Sequence, residues 1–355
     1  MREYEAWLLR LPLVTPYKLA FGPVEALDTV IVRVASPDGV EGFGEATLLT
    51  GYTDETIGET WDRAKALVDA AQAPAFDLRG ALDALDPTHP FLTTAFRTAL
   101  EMAAGDPRLS LDEAARIPIL GLLQGETPGE MQREADRLVA EGYRTVKVKV
   151  GFDPVADAAV VAMAQRAVAG RARIRIDANQ GFDAAQAIDF VSRLANDSIE
   201  LFEQPCPAGD WDAHMKVVPA ARGRGIPLML DESIYSVREI ERAAELGAAE
   251  FIKVKLMKFS SLARLEAAIA RIRELGMKPV LGNGVATDVG CWMEACVASR
   301  CIDNAGEMNG FLKPRERLLA DALAFAGGTI AIPARWRPRL DVARVQRLAL
   351  ARVGS

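Results

Sequence analysis

From Ile117 to about Met308 the chain alternates between short apolar runs and longer amphipathic stretches. IPILGL, TVKVKV, RIRID, IELFE, LMLD, FIKVKL, PVLGN and the weaker IDNAGEM are eight strand candidates, short and rich in Ile, Leu and Val as buried parallel strands are. Between them lie segments with helical spacing, among them PGEMQREADRLVAEG, VREIERAAELG and SLARLEAAIARIRELG, several of which stop at Gly, a normal C-terminal signal. Strands and helices in strict alternation predict an α/β fold built on a (β/α)8-type barrel, which usually occupies about 250 residues.

The N-terminal third has another pattern. Residues 2–12, 27–36 and 40–46 read as strands, with Ser36-Pro37-Asp38-Gly39 supplying a turn between the last two. TPYKLAFGPVE, carrying Tyr17, Lys18 and Phe21, reads as a long loop. From Asp54 to about Asp106 the apolar spacing turns helical. A meander followed by helices is a separate α+β unit. The expected division is a capping unit over 1–111 and a barrel over 112–325, with 326–355, which contains GGTIAIPARWRPRLD, leaving the barrel to complete the cap.

The predicted strand ends form one row: Lys149, Asp177, Glu203, Asp231, Lys255, Asn283 and Glu307, separated by 24 to 28 residues. That step is close to one strand, one helix and two loops, and in such barrels the C-terminal strand ends line one mouth. Each of Asp177, Glu203 and Asp231 taken singly also suits a helix N-cap. All three at a constant period, followed by a lysine, point instead to convergence on a hard divalent cation such as Mg2+.

Lys147 and Lys149 share one face of their strand. Turned inward, two buried ammonium groups need compensating charge, which the next three strands supply. A lysine beside another lysine and a metal ion is pushed toward its neutral form and becomes a base near pH 7. In FIKVKLMK both Lys253 and Lys255 can face inward, and Lys255 lies nearer the strand end. Two lysines opposed across a metal suit removal of a proton from the carbon next to a carboxylate, with the metal holding the enediolate.

Composition adds exclusions. The 355 residues are 50% apolar and 26% charged, with a net charge of −7, and no basic stripe stands out to meet phosphates. Cys206, Cys291, Cys296 and Cys301 form no Cys-x-x-Cys pair, so reduced thiols in a cytoplasmic protein are expected. No run of 18 apolar residues occurs and the N-terminus lacks the flanks of a signal peptide. A small-molecule carboxylate substrate and a homo-oligomer are expected, with neither nucleic acid nor membrane as partner.

TVKVKVG, RIDAN, LFEQP, LDES and VKLMK, in this order and spacing, resemble the enolase superfamily, and within it the muconate lactonizing enzyme subgroup. The resemblance implies a modified (β/α)7β TIM-type barrel under an N-terminal α+β capping domain. It also implies Mg2+ on Asp177, Glu203 and Asp231, with Lys149 and Lys255 as general bases on opposite faces of the substrate. By the same resemblance Lys147 binds the substrate carboxylate, and Asn179 and Glu232 support metal and base. The mandelate racemase branch uses a His–Asp pair, whereas His89 and His214 fall at no barrel strand end.

Members acting on dipeptides or amino acids carry Asp-x-Asp at the eighth strand, where this chain has Glu307-Met308-Asn309. Glu307 and Asn309 then either receive an amino or imino group, or Glu307 neutralises a nearby lysine. Tyr52 and the loops at 17–21 and 49–52 are expected to close over a ligand, and Trp292 reads as core. The chain also resembles hydroxyproline-type dehydratases and proline-betaine epimerases. The expectation is dehydration of a proline derivative, with racemisation or epimerisation of an amino acid, proline betaine or dipeptide as the alternative. Cycloisomerisation or o-succinylbenzoate synthesis ranks lower, and an inactive binding barrel is disfavoured because no lysine or ligand is missing.

Overall fold

In a computed structural model of the chain, residues 3–19, 22–49 and 53–354 are described. Strands β1 (Glu3–Leu19), β2 (Gly22–Ala35) and β3 (Glu41–Leu48) form an antiparallel meander, followed by helices α1 (Ile57–Ala71), α2 (Leu78–Leu85) and α3 (Pro90–Ala103). The described residues of the stretch expected as a loop are instead the far part of the first two strands, with Tyr17 paired to Val24 and Leu19 to Gly22 in the backbone. Both faces of this sheet are apolar, with opposite destinations. Tyr4, Ala6, Val30, Val32 and Val34 pack under α1 to α3 with Trp61, Phe91 and Phe96, whereas Trp7, Leu9, Leu11, Ile31 and Phe43 join the barrel core. Burying a Leu, Val or Phe side chain contributes about 1.5–3 kcal/mol, so the cap is held to the barrel by its own strand alternation.

The expected strand IPILGL is two elements. β4 (Ala115–Pro118) runs antiparallel to a C-terminal hairpin, while β5 (Gly121–Leu122) opens the parallel sheet. That sheet continues through β6 (Thr145–Lys149), β7 (Arg173–Asp177), β8 (Ile199–Glu203), β9 (Leu228–Leu230), β10 (Phe251–Val254) and β11 (Lys278–Leu281), in sequential order. The intervening helices start as their sequences dictate. Thr127 with Glu130 and Asp183 with Gln186 form capping boxes, and Pro128 and Pro154 occupy the first helical turn.

The predicted eighth strand is reduced to a bridge. Gly306 donates to Pro118 O and accepts from Leu120 N, both at 2.9 Å, and Glu307 N donates to Leu281 O at 2.9 Å. One residue is enough because β11 runs into Gly282 at φ +136°, where a Cβ would stand 2.6 Å from Glu307 N. Asn309 N then bonds back to Glu307 O at 2.7 Å, which turns the chain away before a ladder can extend. The C-terminal segment divides as well. β12 (Ala324–Ala326) and β13 (Thr329–Ile332) form a hairpin whose second strand pairs with β4, and β14 (Ala349–Gly354) pairs with β1 in the cap sheet.

Inward positions are layered. Leu201, Met229, Phe251 and Val280 form a small apolar cluster, and the buried Arg175 binds Glu200, Asn304 and Ala305 O beside it. Two residues farther along β7, β8 and β9 come Asp177, Glu203 and Asp231. Trp292 is core, fully buried between Phe43 and Trp336.

Cap and barrel are also joined by polar contacts. Glu45 of β3 accepts from Thr287 N at 2.9 Å and from its hydroxyl, and within the barrel Glu294 accepts from Leu256 N at 2.8 Å. Burial pushes both carboxyls up to about 7 from an ordinary 4.5. A raised carboxyl pKa adds stability that is fully present below pH 4.5 and lost as pH rises through about 7. Urea midpoints measured at pH 5 and pH 8 are therefore expected to fall more in the native protein than in the double variant Glu45→Gln/Glu294→Gln. Equal falls would contradict this origin.

Candidate active site

The row of strand ends meets at one mouth. Lys147 and Lys149 lie on β6, Asp177 ends β7, Glu203 ends β8, Asp231 follows β9, Lys253 lies on β10 and Lys255 follows it. Asp177, Glu203 and Asp231 are 0–1% exposed. Lys147 Nζ stands 2.8 Å from Asp177, 2.7 Å from Glu203 and 2.8 Å from Glu307. Lys253 Nζ stands 2.9 Å from Glu203 and 3.2 Å from Asp231, and it also contacts Glu307 Oε2. Lys149, whose side chain keeps 28% of its exposure, donates to Asp177 at 2.7 Å and to Asn179 Oδ1. Lys255 is buried against Asp231 at 2.9 Å. The two lysines expected to act as bases thus stand at opposite ends of the row of acids.

Supporting contacts fix the row. Asn179 donates to Glu232 Oε1 at 3.0 Å, and its own N–H donates to Asp177 Oδ1 at 2.9 Å. Asn179, Gln180 and Gln204 all sit at left-handed φ, 42°, 68° and 37°, a conformation that non-glycine residues adopt at a cost and usually at functional sites. Gln204, fully buried, accepts from Asp231 N at 2.9 Å and donates to Ser233 Oγ at 2.8 Å. Lys258 donates to Asp231 O at 2.6 Å and Oδ1 at 2.9 Å. Lys253, Lys258 and Gln204 join the site without having been expected there, although Gln204 lies inside LFEQP and Lys253 shares a face with Lys255.

Electrostatics follow the contacts. Burial works to raise Asp177, Asp231 and Glu307, but the surrounding ammonium groups outweigh it and hold all three below the usual carboxylate range. For Glu203, burial and the adjacent Asp177 win and push it up to about 7. Lys147 is governed by its acid neighbours. Burial alone would lower it, yet Asp177, Glu203 and Glu307 hold it above its ordinary value. Lys258 is brought down to about 8 by burial.

Of the predicted substrate contacts, Glu307 has Oε2 taken by Lys147 and Lys253. Asn309 donates to Leu120 O at 3.3 Å and leaves Oδ1 buried with no hydrogen-bond partner. Tyr52 and Phe21 lie outside the described residues. A cleft of about 380 Å³ lies between cap and barrel, lined by Asp54, Pro90, Gln180, Ala208, Glu232 and Tyr235 among others. His214 is buried against Gln204, and His89 begins α3 beside Arg63.

The donor set is that of a hard cation, with carboxylates from adjacent strands and a buried, unpartnered Glu232 Oε2 beside Asp231. Their present arrangement is drawn onto lysines. Among the described residues no three His, Cys, Asp or Glu side chains gather around one point closely enough to hold a metal ion, because the ammonium groups of Lys147 and Lys253 stand between the acids. The donor types fit Mg2+, and engaging it requires the acids and those ammonium groups to part.

A parallel barrel with acids and lysines at its strand ends, under a cap that covers the mouth, defines an enzyme of the α/β-barrel class. Residues 5–115 match the mandelate racemase / muconate lactonizing enzyme N-terminal domain, and residues 130–338 match the enolase C-terminal domain-like family. The chain belongs to the enolase superfamily, in its muconate lactonizing enzyme-like subgroup. It is 29% identical to a hydrophobic dipeptide epimerase of Citrifermentans bemidjiense over 84% of this chain and 83% of that protein. It is 26% identical to an N-succinyl-L-Arg/Lys racemase of Bacillus cereus over 82% and 80% of the two chains. The fold matches a dipeptide epimerase of Cytophaga hutchinsonii, solved with Mg and D-Ala-L-Val, at a TM-score of 0.86 with 21% identity, covering 99% and 98%. These relatives are epimerases and racemases, and they do not support the expected dehydration. Among the described residues no helix is long and apolar enough to cross a membrane.

Glu307 is the counter-ion shared by two buried lysines, so Glu307→Ala is expected to lower unfolding free energy by about 3–5 kcal/mol, read from urea unfolding. A loss below about 1 kcal/mol would mean that the remaining acids suffice.

Proposed function

We propose that the protein racemises or epimerises the α-carbon of an N-substituted amino acid, a dipeptide or an N-acylamino acid, by removing the α-proton on one face and delivering another proton on the opposite face. The observation that carries this reading is the placement of Lys149 against Asp177 and Lys255 against Asp231, at opposite ends of one buried row of acids. One Nζ takes the α-proton from its side of the substrate and the other returns a proton from the opposite side, which inverts the centre. Lys147 orients the substrate carboxylate. Asp177, Glu203 and Asp231 would hold Mg2+, which when bound stabilises the charge developing on that carboxylate. Asn179 and Glu232 keep Lys149 and the ligand carboxylates in register through the bond between them. Glu307, Asn309 and the residue Tyr52 are assigned to the substrate's nitrogen end and its cover. The names of the relatives support an amino-acid-derived substrate and, for one structural neighbour, magnesium. We assign the protein to the cytoplasm as a homo-oligomer.

Incubation of dipeptides and N-succinylamino acids with protein and Mg2+ in D2O tests the reading. Recovered substrate is expected to carry α-deuterium and to include the inverted antipode. Lys149→Ala and Lys255→Ala should each lower inversion by roughly 10²–10⁴-fold, while each still exchanges the α-proton of one antipode, a different one for each variant. A keto or imine product without the antipode would restore the dehydration reading, and undiminished inversion by Lys149→Ala would remove the two-base mechanism.

A further inference from the structure

One buried cation of the mouth takes no part in the proton transfer. Lys253 is 2% exposed, and its Nζ lies 2.9 Å from Glu203 Oε1 and 3.2 Å from Asp231 Oδ2 while also contacting Glu307 Oε2. Two of these three acids are assigned above as neighbouring ligands of the divalent cation. We propose that Lys253 is a built-in competitor of that cation: it bridges Glu203 and Asp231, sets the affinity for Mg2+, and withdraws onto Glu307 when the ion enters. The inference rests on the ligand assignment under the proposed function.

Charge balance is the first argument. Lys147, Lys149, Lys253, Lys255 and Lys258 face Asp177, Glu203, Asp231, Glu232 and Glu307, so the mouth is neutral when all are ionised. A dication leaves an excess of two positive charges in a buried volume, where unit charges about 4 Å apart interact by several kcal/mol at an effective dielectric of roughly 20. The cation touching two of the ligand acids bears much of that repulsion. Lys147 bridges Asp177 and Glu203 in the same way, but a substrate carboxylate offsets its charge in the mechanism above. Lys253 has no such relief.

Geometry supplies the second argument. Glu307 reaches the mouth from the bridge that closes the barrel, not from the row of ligands, and its Oε2 is already in contact with Lys253. A flexible lysine stem can give up Glu203 and Asp231 and remain compensated there. Glu307 is thereby the acid that keeps the displaced ammonium from becoming an unpaired buried charge.

The test is Mg2+ binding by calorimetry on the whole protein after removal of divalent ions with EDTA. Lys253→Met is expected to bind Mg2+ at least roughly tenfold more tightly than the native protein (about 1.4 kcal/mol), and Lys253→Arg, which keeps the cation, within about threefold of native. Equal or weaker binding by Lys253→Met, with binding by the native protein intact, overturns the competition alone. Absence of binding by native protein and variants overturns the ligand assignment with it. Should Lys253→Met fail to fold, 15N-lysine NMR of the native protein decides: the Lys253 ammonium signal, identified by its loss in Lys253→Arg, must shift on Mg2+ addition, and an unmoved signal overturns the proposal.

Discussion

The structure depends on a network of ammonium groups and carboxylates inside the barrel mouth. Asp177, Glu203, Asp231 and Glu307 are each held by at least two lysines, and Lys147 and Lys253 each touch three acids. No member could be buried alone, since an isolated charge in a protein interior is prohibitively costly. Together they compensate one another's charge in a site shielded by the cap, although burial and Asp177 push Glu203 up to about 7. The same network limits what the mouth can accept, because a further ion must displace a partner before it gains one.

The fold provides for this network by repetition. Three adjacent strands of the parallel sheet, β8 to β10, present an inward apolar residue and then, two positions on, a polar one: Leu201 then Glu203, Met229 then Asp231, and Phe251 then Lys253. The apolar layer seals the barrel below and the polar layer forms the site above. The cap sheet binds to this barrel through Trp7, Leu9 and Leu11, and the loop after β11 meets the cap through Val285 packed on Leu13, Leu27 and Leu49. Closure of the mouth is therefore a consequence of the same core that joins the two units.

Much of this was legible in the chain because strand alternation has a period of two and the barrel a period of one strand and one helix. Asp177, Glu203 and Asp231 reach one mouth because each ends or follows a short apolar run of similar length. The order and type of the barrel elements were legible for the same reason. The limits have equally physical causes. IDNAGEM has the composition of a strand, but Gly282 brings β11 against Glu307 and the turn at Asn309 stops pairing after one bridge, which is a tertiary effect. The hairpin arms at 17–19 and 22–24 lack strong alternation and owe their strand form to cross-strand pairing. Lys253 and Lys255 share a face, so register alone does not separate their roles, and the partners of Glu307 come from strands 160 and 54 positions away. The expectation of dehydration rested on the Glu307-Met308-Asn309 variation and the general look of the chain, whereas the two relatives described above, each covering most of the chain, are an epimerase and a racemase.

A crystal structure of the protein grown with Mg2+ and an N-acylamino acid measures the central claim directly. The account predicts one ion on Asp177, Glu203 and Asp231, with the substrate α-carbon between Lys149 Nζ on one face and Lys255 Nζ on the other. An ion bound elsewhere, or both lysines on the same face of that carbon, would contradict it.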